Sequence, residues 1–245
     1  MKTTADGIVI WEVKTGEADR VITILTENGL ITAYARGSMK ANGRLTAGTS
    51  VLSYSNFELA SGKTMYTVTE AELERRFIHL YSDAQAYSLA VYFCELLKLL
   101  APTDEDSSEY LKLMLNSLYL LDSAAKPLWQ VKAVFELTLM TLSGYMPDVL
   151  CCSQCGEYES DMVTFDLNTG SWLCSSCSEK AGLMPTVPFS AVAAMRYIIT
   201  SEPKKAFSFR LTDKAAEDFA ALTESFVRLH VEHKLSTLDF YKQLL

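Results

Sequence analysis

Nothing in this chain approaches the roughly 18 consecutive apolar residues that a membrane-spanning helix needs. The opening segment, residues 1–7, has no apolar stretch behind Lys2 of the kind that heads a secretory signal. Both absences predict a cytoplasmic protein with no membrane role. A phosphate loop of the form Gly-x-x-x-x-Gly-Lys-Ser/Thr is missing, and so is Gly-x-Ser-x-Gly. ATP hydrolysis and serine-based hydrolysis therefore lack their minimum equipment. Histidine is scarce, with three in the chain, and His230 and His233 do not form His-Glu-x-x-His. His230-Val231-Glu232 copies one half of a zinc-deaminase signature, but both cysteine pairs lie upstream of it and neither follows a proline. The expectation is a protein with no catalytic residues.

Positive charge is also in short supply. Lys and Arg number 22 against 30 Asp and Glu, a net charge of −8, which at first sight disfavours a nucleic-acid partner. The distribution alters that reading. Residues 1–80 carry nine basic and nine acidic side chains, so the excess acid lies in residues 81–245. From Asn28 to Phe57 there is no acidic side chain, while Arg36, Lys40 and Arg44 are present. Three cations make a local field of one sign, or equally a solvated loop without a role.

What the chain does have is material for a core. With 49% hydrophobic and 21% charged residues over 245 positions it is no disordered chain, and its length suits one large domain or two modest ones. Its first 80 residues read as five strands: Gly7 to Val13, Arg20 to Thr26, Leu30 to Arg36, Thr49 to Leu59 and Lys63 to Ala71. Thr15-Gly16, Asn28-Gly29, Asn42-Gly43 and Ser61-Gly62 punctuate them. Five short strands in this space predict a small barrel; an OB-fold is one solution among several.

After Ile78 the apolar period lengthens from two to between three and four. Leu89, Phe93, Leu96 and Leu100 mark one helix, and Leu111, Met114, Leu115 and Leu118 a second. A third follows Pro127, which suits a first helical turn. The acidic linker Asp104-Glu105-Asp106 favours the start of the second helix. Phe189 to Ile199 and Asp213 to His233 also read as helices.

Six cysteines, four of them in two Cys-x-x-Cys pairs, favour a metal over disulfides in a chain without a secretion signal. Cys152 and Cys155 are separated from Cys174 and Cys177 by eighteen residues, a spacing suited to a four-cysteine structural zinc site. Gly156 relieves the backbone where it turns toward sulfur. Val163-Thr164-Phe165 and Ser171-Trp172-Leu173 can pair as the hairpin of a zinc ribbon. Cys151 competes with Cys152 as a ligand, with Cys152 preferred for its symmetry with the second pair. Cys94, in the middle of an apolar helix, reads as a small buried hydrophobe. Four protein ligands leave no open position for water, so such a metal would hold the fold without performing chemistry.

The order of these parts resembles the bacterial RecO family of DNA repair proteins. The resemblance rests on Gly7-Ile8-Val9-Ile10, Gly16-Glu17-Ala18-Asp19-Arg20-Val21, Leu25-Thr26-Glu27-Asn28-Gly29-Leu30 and Ala35-Arg36-Gly37, with the cysteine pairs and the closing Leu235-Ser236-Thr237-Leu238-Asp239-Phe240. It implies an α+β chain: a five-stranded OB-fold barrel over 1–80, then a helical domain over 81–245 carrying an inserted four-cysteine zinc ribbon-like module at about 149–180. It further implies DNA repair and recombination work without ATP: binding single- and double-stranded DNA, annealing complementary strands, and helping to load RecA. The partners implied are RecR and single-stranded-DNA-binding protein (SSB), in a nucleoid-associated setting.

Carried onto this sequence, Arg20, Arg36, Lys40 and Arg44 become expected phosphate contacts. Trp11, Tyr34, Tyr54 and Tyr66 become aromatics that could stack on bases or fill the barrel core. Lys204, Lys205, Arg210 and Arg228 are the cations open to an acidic SSB tail. The segment Arg36 to Arg44 is poorer in basic residues than the family's loop usually is. The rival readings are a zinc-containing scaffold that acts through protein partners, and an RNA-binding protein.

Overall fold

A computed structural model describes residues 2–245; Met1, the first residue of the expected 1–80 domain, lies outside the described residues. The chain is mixed α+β, beginning with β1 (Lys2–Thr15), β2 (Asp19–Thr26), β3 (Gly29–Ala35), β4 (Ser53–Ala60) and β5 (Tyr66–Arg76). Branched and aromatic residues recur with period two, which a half-buried strand requires. In β4, Ser53, Ser55, Phe57 and Leu59 are buried while the residues between them are partly exposed. The pairings are antiparallel except for β3 with β5, and the sheet closes on itself in the order β1-β2-β3-β5-β4. Val9, Ile22, Ile24, Ala33, Phe57, Leu59 and Val68 fill its interior. Burying each large side chain of this kind is worth about 1.5–3 kcal/mol.

A bulge in β1 decides which way one aromatic faces. Val9 pairs with Ile24 and Trp11 with Thr23, so Ile10 is an extra residue. Strict alternation would put Trp11 on the face of Val9, inside the sheet. The bulge turns it out instead.

The expected strand limits are corrected most at β1, which runs Lys2–Thr15 instead of Gly7 to Val13, and at the fourth and fifth strands. Residues 49–52 are not strand but turns, in which Thr49 Oγ1 donates to the Leu45 carbonyl at 2.6 Å and Ser50 Oγ to that of Thr46 at 2.8 Å. Local hydroxyl bonds of this sort compete with a ladder and win here. The fifth strand starts at Tyr66 instead of Lys63 and continues to Arg76.

The helices are α1 (Ala84–Leu100), α2 (Ser108–Asp122), α3 (Leu128–Leu142), α4 (Ser175–Lys180), α5 (Phe189–Thr200), α6 (Asp213–His230) and α7 (Ser236–Gln243), with a 3₁₀ turn at His79–Ser82. Asp83 caps α1, accepting from the Gln85 and Ala86 amides at 2.9 and 3.0 Å. Asp106, one residue ahead of the N-cap Ser107, accepts from the Ser108 amide at 2.9 Å, so the acidic linker bears on the start of α2. The sixth helix stops at His230, three residues short of the expected end. β6 (Met162–Asp166), β7 (Ser171–Cys174) and β8 (Val187–Pro188) make a second, three-stranded sheet.

Two compact units result. One holds the chain up to Ser123 together with Ser236–Leu245; the other is Ala124–Leu235. Within the first, the turn between β2 and β3 lies against the α1–α2 linker. The Leu30 amide donates to Pro102, and a Cβ on Gly29, whose φ is 108°, would meet the Thr103 carbonyl at 2.3 Å, so glycine is required there. In the same unit α7 packs on α1 through buried Glu95, whose carboxylate accepts from the Thr237 amide and hydroxyl and from Ser236 Oγ. In the second unit Lys132 of α3 is buried between Glu136 and Glu224 at 2.8 and 3.0 Å, and Thr223 Oγ1 donates to Glu136 at 2.9 Å. A buried ion triad with its lone pairs filled ties α3 to α6.

Candidate nucleic-acid interface and cysteine cluster

Arg36, Lys40 and Arg44 all lie on the connection between β3 and β4, and all three are exposed. The connection is built of consecutive turns: the Lys40 amide donates to Gly37, that of Gly43 to Lys40, and that of Thr46 to Gly43, at 2.8 to 3.2 Å. The side chains of Arg36 and Lys40 make no hydrogen bond or ion pair among the described residues. Arg44 is partly occupied, donating to Glu70 at 3.1 Å and to the Thr69 carbonyl at 2.7 Å.

Arg20 belongs elsewhere. Its side chain is nine-tenths buried; Nη1 meets Glu12 at 2.6 Å and Nη2 donates to the Ser38 carbonyl at 2.9 Å. An outer phosphate cannot reach a guanidinium so enclosed without breaking both contacts. Arg20 supports the loop from beneath instead of extending its charge.

Asp19 does the same from the other side. Its carboxylate accepts from the Tyr34 hydroxyl and from the Gly37 amide, the latter at 2.6 Å, and the Ala18 carbonyl takes the Met39 amide at 2.9 Å. The Tyr34 bond comes first, with the Gly37 amide next, in holding the Asp19 carboxyl below its ordinary range, and the same bond raises the Tyr34 phenol. Tyr34, expected among the stacking aromatics, thus has its hydroxyl engaged in the loop's support. Tyr54 is partly buried and Tyr66 exposed. Trp11 faces α1, where Lys98 Nζ sits 3.9 Å above its ring.

Sequence reasoning passed over Asp19, Arg76, Tyr81 and Lys98. Arg76 covers the Tyr81 ring at 5.2 Å, and Tyr81 lies 5.4 Å from Tyr87. The adjacent pair Arg75-Arg76 was visible as a signal. The Lys98–Trp11 contact was not, because it depends on the bulge. In the helical part, Lys205 pairs with Glu202 and Arg228 with Glu224, each at 3.1 Å.

The second cluster is made of sulfur. The hairpin of β6 and β7 pairs Phe165 with Trp172 and Val163 with Cys174, and Trp172 is buried against Phe189 with ring centroids 5.4 Å apart. The strand end and α4 then carry Cys174 and Cys177 to the loop bearing Cys152 and Cys155. All four Sγ atoms lie within 4.8 Å of one another. Cys155 and Cys174 are 3.7 Å apart, close to the edge of about 3.8 Å that a tetrahedron of sulfurs around zinc has. Cys151 lies outside the group.

Burial opposes ionisation of Cys152, but the amides of Cys174, Cys155 and Gln154 outweigh it and hold this thiol down at about 6. The Cys174 amide stands 3.3 Å from its sulfur. Cys177, hydrogen-bonded to Cys155 and desolvated, is pushed up to about 12. Four thiols so placed suit a divalent soft-to-borderline cation that displaces their protons. Cys94 is fully enclosed in α1, and burial drives its thiol upward, as an inert core residue requires.

A family model described as the N-terminal part of recombination protein O matches residues 1–77, and one described as its C-terminal part matches residues 81–239. The chain belongs to the RecO family. Within it, the chain is similar to the DNA repair protein RecO of Acetivibrio thermocellus, 34% identical over 97% of this chain and 95% of that one. RecO of Heliobacterium modesticaldum is 30% identical over 93% of this chain and 85% of its own, and RecO of Alkaliphilus metalliredigens 25% identical over the whole of both. RecO-family membership makes this a DNA repair protein. The two family matches meet between Phe77 and Tyr81, while the compact units part at Ser123. No helix among the described residues is long and apolar enough to cross a membrane.

Proposed function

We propose that this RecO-family protein is a non-enzymatic recombination mediator of the cytoplasm and nucleoid. It binds single- and double-stranded DNA through the loop over residues 36–44, anneals complementary strands without ATP, and helps load RecA onto SSB-coated DNA together with RecR. Residues 1–80 act as an OB-fold DNA-binding domain. Residues 81–245 form the helical domain, with Cys152, Cys155, Cys174 and Cys177 holding a structural zinc ion in a ribbon-like module at about 149–180. A five-stranded closed sheet with a long connection after its third strand supports the OB reading.

The observation that carries the DNA reading is the pair of uncommitted cations, Arg36 and Lys40, on a loop whose geometry is fixed from below by Arg20 and Asp19. Exposed charges that make no hydrogen bond or close ion pair are free to exchange counterions for phosphate, although Asp19 beneath them draws part of their field. They read no sequence, which annealing requires, since either strand must be accepted whatever its bases. The metal, when bound, would supply cross-linking and no chemistry; the amide donors to the Cys152 sulfur, that of Cys174 among them, would orient that ligand.

The test is ATP-free annealing of two complementary oligonucleotides by the intact protein and by an Arg36→Glu, Lys40→Glu, Arg44→Glu variant with fold and zinc content verified. Fast annealing that the variant loses supports the reading. With three phosphate contacts, single-strand affinity falls with a log–log salt slope of about −2. A slope near zero, or annealing by neither protein even with a RecR-type partner, overturns it in favour of a scaffold. Competition by RNA stronger than by DNA points to the RNA-binding alternative.

A further inference from the structure

Beside the loop, the outward turn of Trp11 opens a pocket of about 410 Å³ between the sheet and α1, a size within the range of small-ligand sites. Its walls include Trp11, Glu12, Arg20, Arg76, Tyr81 and Tyr87, all within the first compact unit. Three aromatic rings and two guanidiniums converge there. Glu12 is neutralised by its 2.6 Å pair with Arg20, so the lining keeps a net positive charge. Arg20 meets the pocket as an enclosed side chain, its Nε fully buried and without a hydrogen-bond partner among the described residues.

From these observations we propose that the pocket receives one unstacked base of a single DNA strand, with its face against the aromatic rings and its flanking phosphate meeting Arg76. This rests on the DNA-binding reading above and adds a base subsite to it. Every base has a π-face for the rings, so the site tolerates any sequence. Arg76, already stacked on Tyr81 at 5.2 Å, is an exposed cation at the rim where a phosphate arrives. Arg20 ties the subsite to the loop, since the same side chain that lines the pocket holds the Ser38 carbonyl. A strand crossing Arg36 and Lys40 can therefore place a base in the pocket, whereas a closed duplex cannot without unpairing. The pocket gives the protein a means of favouring single strands that its sparse loop charge does not supply.

The experiment compares oligo(dT) with an abasic strand of equal length and charge, by anisotropy of labelled strands, for the intact protein and for Tyr81→Ala and Arg76→Ala. Tyr81 is about half exposed, so its truncation spares the core. Expected is a preference of about tenfold for oligo(dT) over the abasic strand in the intact protein, lost in Tyr81→Ala and kept in Tyr81→Phe, while duplex affinity stays unchanged. A strand carrying a photoreactive halogenated uracil should cross-link to Trp11, Tyr81 or Tyr87. Equal binding of the two strands, with both abolished by the triple loop variant, overturns the base subsite and leaves the loop reading standing. Undiminished preference in Tyr81→Ala, with cross-links elsewhere, also overturns it. No binding of either strand by the intact protein removes both.

Discussion

The basic loop and the cysteine hairpin are both short, turn-rich segments, yet they are held in opposite ways. In the loop, Arg36 and Lys40 are offered outward with no hydrogen bond or ion pair among the described residues, while Arg44 keeps an exposed pair with Glu70; the holding is done by residues of the underlying strands, Arg20 and Asp19, through backbone atoms of Gly37 and Ser38. In the hairpin the presented sulfurs face one another, and the holding is done by amides of the ligand loops themselves. A surface proposed for a polyanion leaves most of its charges unpaired, whereas a proposed structural cation site engages all of its ligands. The difference predicts where damage should be global and where it should be confined to binding.

The largest effect should come from the hairpin. With zinc bound, Cys152→Ser, or chelation of the intact protein, removes one of four mutually dependent ligands or the ion they share. Loss of metal from a site of this type belongs with the changes that cost more than about 4 kcal/mol. Zinc stoichiometry should fall from one to none, and near-ultraviolet dichroism from Trp172 should collapse. Cys151→Ser should leave both unchanged; if it removes the metal instead, the ligand set is wrong.

Smaller, and confined to the first unit, is the effect of Arg20→Met. Breaking a buried ion pair costs about 3–5 kcal/mol, but Glu12 keeps part of its carboxylate in water, which reduces the cost here to about 2 kcal/mol. DNA affinity should weaken although no outward charge has been removed. Arg44→Met makes the contrast, because its pair with Glu70 is exposed and such pairs are worth about 0–1 kcal/mol. Urea melts of the two variants, read beside their salt slopes, separate support from contact: Arg44→Met should lower the slope by about 0.7, and Arg20→Met should not.

How far these roles could be read in advance follows from the same contrast. The cysteines were legible because a chelate is a local object: two residues between ligands and a hairpin between pairs suffice to bring four sulfurs together. The strands were legible because alternation records burial, as Phe57 and Leu59 do against Asn56 and Glu58. Arg20 looked like a phosphate contact because its burial depends on register, which pairs it with Lys14 on one side and Ala35 on the other. Trp11 was unplaceable without the bulge at Ile10. The short helix α7 went unread because what caps it is Glu95, some 140 residues away in sequence.

The finest test of the comparison is pH. Asp19 has a folded-state value below its ordinary one, so the restraint it exerts on the loop is fully present above that ordinary value and is lost as pH falls through the lowered one. Tyr34 has a raised value, so its share persists below pH 10 and is lost only as pH rises through a value higher still. Loop support should therefore be flat from about pH 5 to pH 9. Salt dependence of DNA binding should be equally flat across that window. Ultraviolet difference titration can isolate Tyr34: in Asp19→Asn one phenol of the twelve should shift down in pH toward the ordinary range. If all twelve titrate alike in both proteins, Asp19 does not hold Tyr34, and the loop would then owe its shape to Arg20 and its own turns.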